Sequence, residues 1–449
     1  MRSAGFDIHY SDGGAQPSHV VRKWVLQLKN PSFHALVSSA DGTMLLWAVH
    51  AALAVMLILG WRTRIAVVGC WLFTISLQAR FITLNSGADH MIGAMLLWAC
   101  FVPISARLSL DARRRPDRVQ RSSEALGPAT AAFVVQLLVL YLFNASNKHG
   151  AAWRDGSAVM IALHVDQLTT GLGIWVRDNL PWLSKPLTWG TLVIEFSSVL
   201  LLVPSRRLRM PLLAVFWSFH IGLWAFMRIA LFSPSCMVAW LALVPGSTWD
   251  SGPLCRLGAC MLPGLGVPWR PRAVSSVTVA ALLILPIWTN FYWAMKVPRP
   301  AFIKRAANMT RLNQGWKMFA PKPWSKDIWY IVEATRGDGK REHLLRDPGE
   351  SRMTWDMPRS GGPMYRTAKH RWLWMSLKCD KTKARCRRLL KHVCRTHNVG
   401  RPKNSPDRAM SLTFWRLKER TKLGPDHRPR RRAKVKKERV WKGRCPADP

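Results

Sequence analysis

The chain has 449 residues, 49% of them hydrophobic, and carries 66 Lys and Arg against 25 Asp and Glu for a formal charge of +41. That length would hold two or three soluble domains, but the apolar residues gather between 41 and about 296 in repeated runs long enough to cross a bilayer as helices. Most of the positive charge lies outside those runs, so the near-zero mean hydropathy averages two unlike parts.

Residues 1–40 are polar, with the turn-like string Tyr10-Ser11-Asp12-Gly13-Gly14, and show no cleavable secretion signal. The apolar runs predict membrane spans near 43–60, 65–84, 91–104, 129–147, 187–204, 211–232, 234–245 and 274–293, of which the third and seventh are short. Many of the 24 Trp sit near the ends of these runs, where amphipathic rings favour the headgroup layer. The fold class expected is an all-α polytopic membrane bundle of about seven or eight helices over 41–296, with a small basic α+β or partly disordered extramembrane tail. Arg62, Arg64, the cluster from Arg107 to Arg121, Arg206, Arg207, Arg209, Arg256, Arg270 and Arg272 occupy alternate loops, which places those loops in the cytoplasm. The loops 85–90, 148–186 and 232–235 and the C-terminal tail then face the exoplasmic side. The same parity puts the N-terminus outside, and a missing first helix would repair that.

From 297 the composition turns to Pro, Arg, Lys and Trp. Within 297–396, Ile328 to Thr335, then Gly337-Asp338-Gly339 and a short run to Leu345, read as a β-hairpin. Residues 397–449, with clusters such as Arg428 to Lys437, hold little apolar content and are expected to be disordered. Cys70, Cys100 and Cys236 lie in apolar runs and can pack as small hydrophobes, so cysteine usage does not decide the redox compartment. Cys379, Cys386 and Cys394 with His392 are too irregularly spaced for a zinc knuckle, and no metal is expected.

Ionisable groups inside a membrane are expensive, which makes Arg80, Asp89 with His90, Lys148 with His149, Glu195, His220 and Arg228 the candidate functional residues. Lys148 ends a long apolar run and is followed by Trp153, Arg154, Asp155 and Gly156, so its amine is expected near the exoplasmic boundary. A partly dry pocket there would favour the neutral amine, a base able to take a proton from a weakly acidic hydroxyl. The competing reading is a snorkelling lysine with its charge at the interface. Glu195 and His220 could serve helix packing, Glu195 could pair with Arg228, and Asp89 could simply cap a helix.

The segment Tyr141 to Gly156, YLFNASNKHGAAWRDG, resembles the vitamin K-dependent γ-carboxylase-like family of horizontally transferred transmembrane (HTTM) proteins, specifically its bacterial members. Further segments that resemble the family are GWRTR at Gly60, ITLNSGADHMIGAMLLW, LTWGTLVIEF, the Phe219-His220 pair and NQGWKMFAPKP followed by WYIVEATRGDG. In the animal carboxylase a lysine deprotonates reduced vitamin K. Oxygen then forms the epoxide through a strong base that removes a γ-proton from a peptide glutamate before carbon dioxide adds. The resemblance places Lys148 at that lysine and His220 at the matching histidine. In the enzymatic reading Lys148 acts as base while His220, with Asp89 or His90, orients a quinol or an oxyanion. It implies reduced vitamin K or another quinol, with O2 and CO2, as cofactors. Asn147 stands where the animal enzyme has a second lysine, which argues against a peptide glutamate as substrate. The expected function is a quinol-dependent carboxylase or oxygenase in a bacterial inner membrane, and the alternative is a transporter or other non-enzymatic membrane protein. Membrane lipids are expected partners. Nucleic acid is not, although the tail is basic, because no nucleic-acid module is present.

Overall fold

The computed structural model describes residues 12–114, 127–244, 272–345, 383–420 and 435–446 apart from positions 13, 15, 29, 107–108 and 204, together with 355–357, 373–374, 377 and 424. Arg256, Arg270, Cys379 and most of the 107–121 basic cluster fall outside them.

The N-terminal half runs through α1 (Ser18–Leu28), α2 (Ala40–Leu59), α3 (Thr63–Arg80), α4 (Gly87–Ala99) and α5 (Pro128–Ser146). Local chemistry sets each boundary. Ser39 caps α2 by accepting from the Gly42 N–H at 3.1 Å, and Gly60 ends it in the left-handed conformation at φ 64°. The basic turn that follows is pinned by Asp111, whose carboxylate accepts from the backbone N–H groups of Arg62 and Thr63 at 2.9 and 2.8 Å. Asp89 forms a capping box with Ser86 at the start of α4, so the helix-capping reading of that residue holds. Pro128 opens α5 at a position where its missing N–H costs nothing.

The second half of the bundle holds α6 (Gly171–Asn179), α7 (Ser184–Ser197), α8 (Arg206–Phe226), α9 (Phe232–Leu241), α10 (Ala273–Met295) and α11 (Ala301–Thr310). Among the described residues four helices are long and apolar enough to cross a membrane: α2, α5, α8 and α10. The expectation of seven or eight spans rested on apolar length and on flanking charge or proline. The structure shortens several of those runs: α4 has 13 residues and α9 has 10, while α7 has 14 and continues as a 3₁₀ turn over Ser198–Leu202. Burial also differs among the four, since α2 buries almost none of its side chains whereas half of α5 is enclosed by its neighbours. α5 is thus the inner post of the bundle, and it carries the candidate lysine at its end.

Beyond the bundle lie β1 (Lys326–Arg336), β2 (Arg341–His343), α12 (Lys383–Asn398), β3 (Ala409–Arg420) and β4 (Lys436–Arg444). The strands form one antiparallel sheet in the order β2-β1-β3-β4. The expected hairpin forms between β1 and β2, with Gly339 supplying the left-handed turn residue at φ 80°. The residues expected to be a disordered tail contribute β3 and β4, which corrects that expectation. In β3 the apolar residues Leu412, Phe414 and Leu417 are buried, while Glu438 on β4 accepts from Arg416 at 2.9 Å and from Lys418 at 3.3 Å. Cross-strand pairing of charges lets a strongly basic segment fold. One sheet face packs on α12 through Tyr330, Val332, Leu389 and Leu390, joined by Phe81 and Leu84 from the turn after α3. A disulfide between Cys394 of α12 and Cys445, 51 residues on, closes this unit.

The sheet also meets the bundle at Asp327, which is buried beside Asp166 and Gln167, with Glu419 across the ladder. Burial, reinforced by the Asp166 and Glu419 charges, pushes the Asp327 carboxyl up to about 7. The folded state therefore favours the protonated acid. Stability from this contact is full below the ordinary aspartate range and is lost as pH rises towards 7. The expected change between pH 6 and pH 8 is a loss of about 1.4 kcal/mol, the equivalent of one pH unit of linkage. Hydrogen exchange at the 164–169 turn should accelerate over that range, and Asp327→Asn should abolish the dependence. An unchanged pH profile in the variant would show that another group controls the contact.

Candidate functional site

Near the end of α5, Tyr141 and Asn144 lie three residues apart on one helix face, and Lys148 follows two residues beyond the helix. That face meets Glu195 from α7 and His220 from α8, and the group lines a cavity of about 950 Å³. Apolar side chains make up most of its wall, including Ile194, Phe219 and Phe232.

Lys148 does not snorkel. Its ammonium forms an ion pair with the Glu195 carboxylate and lies 4.7 Å from the centre of the Trp153 ring. Both side chains are enclosed, at 3% and 4% exposure. Glu195 therefore pairs with Lys148 and not with Arg228, whose backbone N–H donates to the Leu168 carbonyl at 2.6 Å beyond the end of α8. Asn144 steadies the pair by donating to Glu195 Oε1 at 2.8 Å. The other carboxylate oxygen, Oε2, is buried and has no hydrogen-bond partner among the described residues.

His220 sits in a second chain of contacts. Trp240 donates its indole N–H to the Tyr141 hydroxyl at 3.0 Å, and that hydroxyl lies 2.6 Å from His220 Nε2. In the tautomer that carries its proton on Nδ1, the ring accepts the hydroxyl proton at Nε2. Nδ1 is buried without a partner among the described residues, as is the indole nitrogen of Trp316, another residue of the cavity wall. The residues around the cavity thus bring together a buried carboxylate oxygen of Glu195, a ring nitrogen of His220 and the indole N–H of Trp316, with a lysine beside them.

Its ceiling is the segment 314–319, from the NQGWKMFAPKP stretch after α11. Bundle asparagines hold that segment by its backbone. Asn290 accepts from the Trp316 N–H at 3.0 Å and donates to the Gln314 carbonyl at 3.0 Å, and Asn144 Oδ1 accepts from the Met318 N–H at 2.7 Å. Trp153 donates to the Phe319 carbonyl at 3.0 Å, and the Gly150 N–H donates to Pro321 at 3.0 Å. A Cβ at Gly150 would lie 2.3 Å from that Pro321 carbonyl, so only glycine permits the approach. Asn147, where the animal enzyme has a lysine, donates to the Trp316 carbonyl at 3.3 Å and serves the ceiling.

Of the candidates from sequence, Lys148, His220, Glu195, Trp153 and His90 line this cavity. Asp89 caps α4, His149 is exposed, and Arg80 lies elsewhere, donating to the Gln16 carbonyl at 2.8 Å. Asn144, Trp240 and Trp316 escaped the sequence reading because they carry no formal charge. The signal for Asn144 was its place four residues before Lys148.

A family model described as HTTM domain matches residues 19–249, just over half of the chain. The chain belongs to the HTTM domain family. No curated protein and no solved structure matches it. The HTTM match contains Lys148, Glu195 and His220, whereas the ceiling and the sheet lie beyond it. It also agrees with the apolar helices in making this an integral membrane protein.

Proposed function

We propose that this HTTM protein is a membrane enzyme that deprotonates a lipophilic quinol in the cavity below the 314–319 ceiling, as the first step of a quinol-dependent oxygenation or carboxylation. The observation that carries the reading is the enclosed Lys148 and Glu195 pair on the wall of a quinol-sized apolar cavity. Shift of the shared proton from Lys148 to Glu195 leaves a neutral amine, which then takes the proton of a quinol hydroxyl. The site ends with ammonium, carboxylic acid and a quinolate, so charge and protons balance. Donors at His220 Nδ1 and Trp316 Nε1 suit the resulting oxyanion. Molecular oxygen is the oxidant proposed for the quinolate, and carbon dioxide the further co-reactant of a carboxylation.

We further propose eight membrane segments, with α3, α4, α7 and α9 completing the set, in a bacterial inner membrane with the ceiling and sheet on the exoplasmic side. The Cys394 to Cys445 disulfide supports an oxidising compartment for that unit. The transporter alternative needs a path with openings on both sides, and the many bonds holding the ceiling favour a closed chamber instead.

Oxygen uptake by purified full-length protein supplied with a reduced menaquinone tests the enzymatic reading. Lys148→Ala should lower the quinol-dependent rate by about 10²-fold or more, the usual contribution of a positioned base. An unchanged rate would remove Lys148 from the chemistry.

A further inference from the structure

We infer that the cavity takes a tailed amphiphile from the side, through a slit between α7 and α8, and holds its polar head at Lys148 and Glu195 while its tail remains in the bilayer. The identity of the head rests on the function proposed above, whereas the route and the tail stand on the observations that follow.

Two helix faces border the slit. On α7, Leu187, Gly190 and Ile194 line the cavity at helical spacing, and on α8 the series Ala214, Ser218, Gly222 and Phe226 does so every fourth residue. The residues at the rim are small. A Cβ added at Gly190 or at Gly222 would meet no atom within 4 Å, in contrast to the crowded Gly150. Ala214 and Ser218 line the cavity and are exposed, so these small side chains leave the space between the helices open.

The surface around that opening is apolar. Trp189 and Val193 on α7 are 45% and 69% exposed, and Ile221 and Trp224 on α8 are 50% and 58% exposed. α8 is one of the four helices fit to cross a membrane, so this outer surface faces acyl chains. A ligand arriving here comes from lipid. The inner end is chemically opposite, with Glu195 Oε2, His220 Nδ1 and Trp316 Nε1 buried and without partners among the described residues. Polar atoms buried in that way call for hydrogen bonds, which a polar head can supply and an apolar tail cannot. One molecule satisfies both ends if it has a hydroxyl-bearing head and a long apolar tail.

Two photoreactive probes with the same long isoprenoid tail carrying a terminal diazirine, one headed by a naphthoquinol and one by a simple phenol, would be tested on the full chain in lipid nanodiscs. Tail cross-links are expected on peptides covering 187–194 and 214–224. Gly190→Leu combined with Gly222→Leu should reduce the cross-link at least tenfold, while Gly222→Ala should preserve it. Tail-less menadiol should still protect Ser218→Cys from a thiol reagent in the double-leucine background, which verifies that the chamber has folded. Cross-links spread over α2 or α10, or full labelling of the double-leucine variant, would overturn the slit. Loss of menadiol protection together with cross-linking would also count against it, since the glycines would then shape the chamber itself. Cross-linking by the phenol probe alone would keep the slit and remove the quinol. Slit labelling with no effect of Lys148→Ala on oxygen uptake would likewise separate the two readings.

Discussion

Replacing Glu195 with Ala should destabilise the protein by about 3–5 kcal/mol, the range found when one partner of a buried ion pair is removed. The reason is the ammonium left behind. Lys148 is enclosed by α5, α7 and the Trp153 ring, and the pair is almost fully shielded from solvent. Without Glu195 it has the ring face as its nearest compensation, which is worth on the order of 2 kcal/mol when dry. Asn144 would also lose the acceptor it donates to. The conservative change Glu195→Gln keeps shape and one hydrogen bond and should fall between the two. Lys148→Met combined with Glu195→Leu should recover most of the loss, because two apolar side chains avoid both desolvation costs. Melting temperatures in detergent or nanodiscs measure these effects. The double variant should be well folded yet inactive in quinol-dependent oxygen uptake, which would separate the structural use of the pair from its chemical use. A Glu195→Ala protein as stable as the wild type would mean that water reaches Lys148.

Cys445→Ser should destabilise the extramembrane unit by about 4 kcal/mol, because the disulfide closes a loop of 51 residues and the constraint on the unfolded chain grows with the logarithm of loop length. The loss should be local. Cys394 sits on α12 against the sheet and Cys445 follows β4, so protection against exchange should fall first in β3 and β4. The bundle should keep its melting behaviour. Equal exchange in wild type and variant would show that the unit holds together without the Cys394 to Cys445 bond.

The sequence made the bundle legible, and with it Lys148, for one physical reason: a charge at the end of a long apolar run stands out against its surroundings. Partners were harder to read. Glu195 is 47 residues from Lys148, and the ion pair legible in the sequence was the one with Arg228 until the helices were placed. Neutral groups such as Asn144 and Trp316 act through backbone and ring contacts that leave no trace in charge or hydropathy. β3 and β4 were misread because their lysines and arginines hid an alternation of apolar residues, and because Glu438 neutralises them from the neighbouring strand. The number of spans was harder to read from apolar runs, because α4 and α9 are only 13 and 10 residues long and four of the described helices are long and apolar enough to cross by themselves.

The ceiling has a bearing on how the protein is made. Lys148 and Glu195 leave the ribosome well before residues 314–319, and Asn144 can bridge the pair to Met318 only after α10 and α11 have been threaded into place. During synthesis the chamber therefore stands unroofed, and water bathes a pair that is later dry. On the proposed quinol reading, the site would become competent only after residues 314–319 are in place, and a polypeptide stalled before them would lack the roof of its chamber.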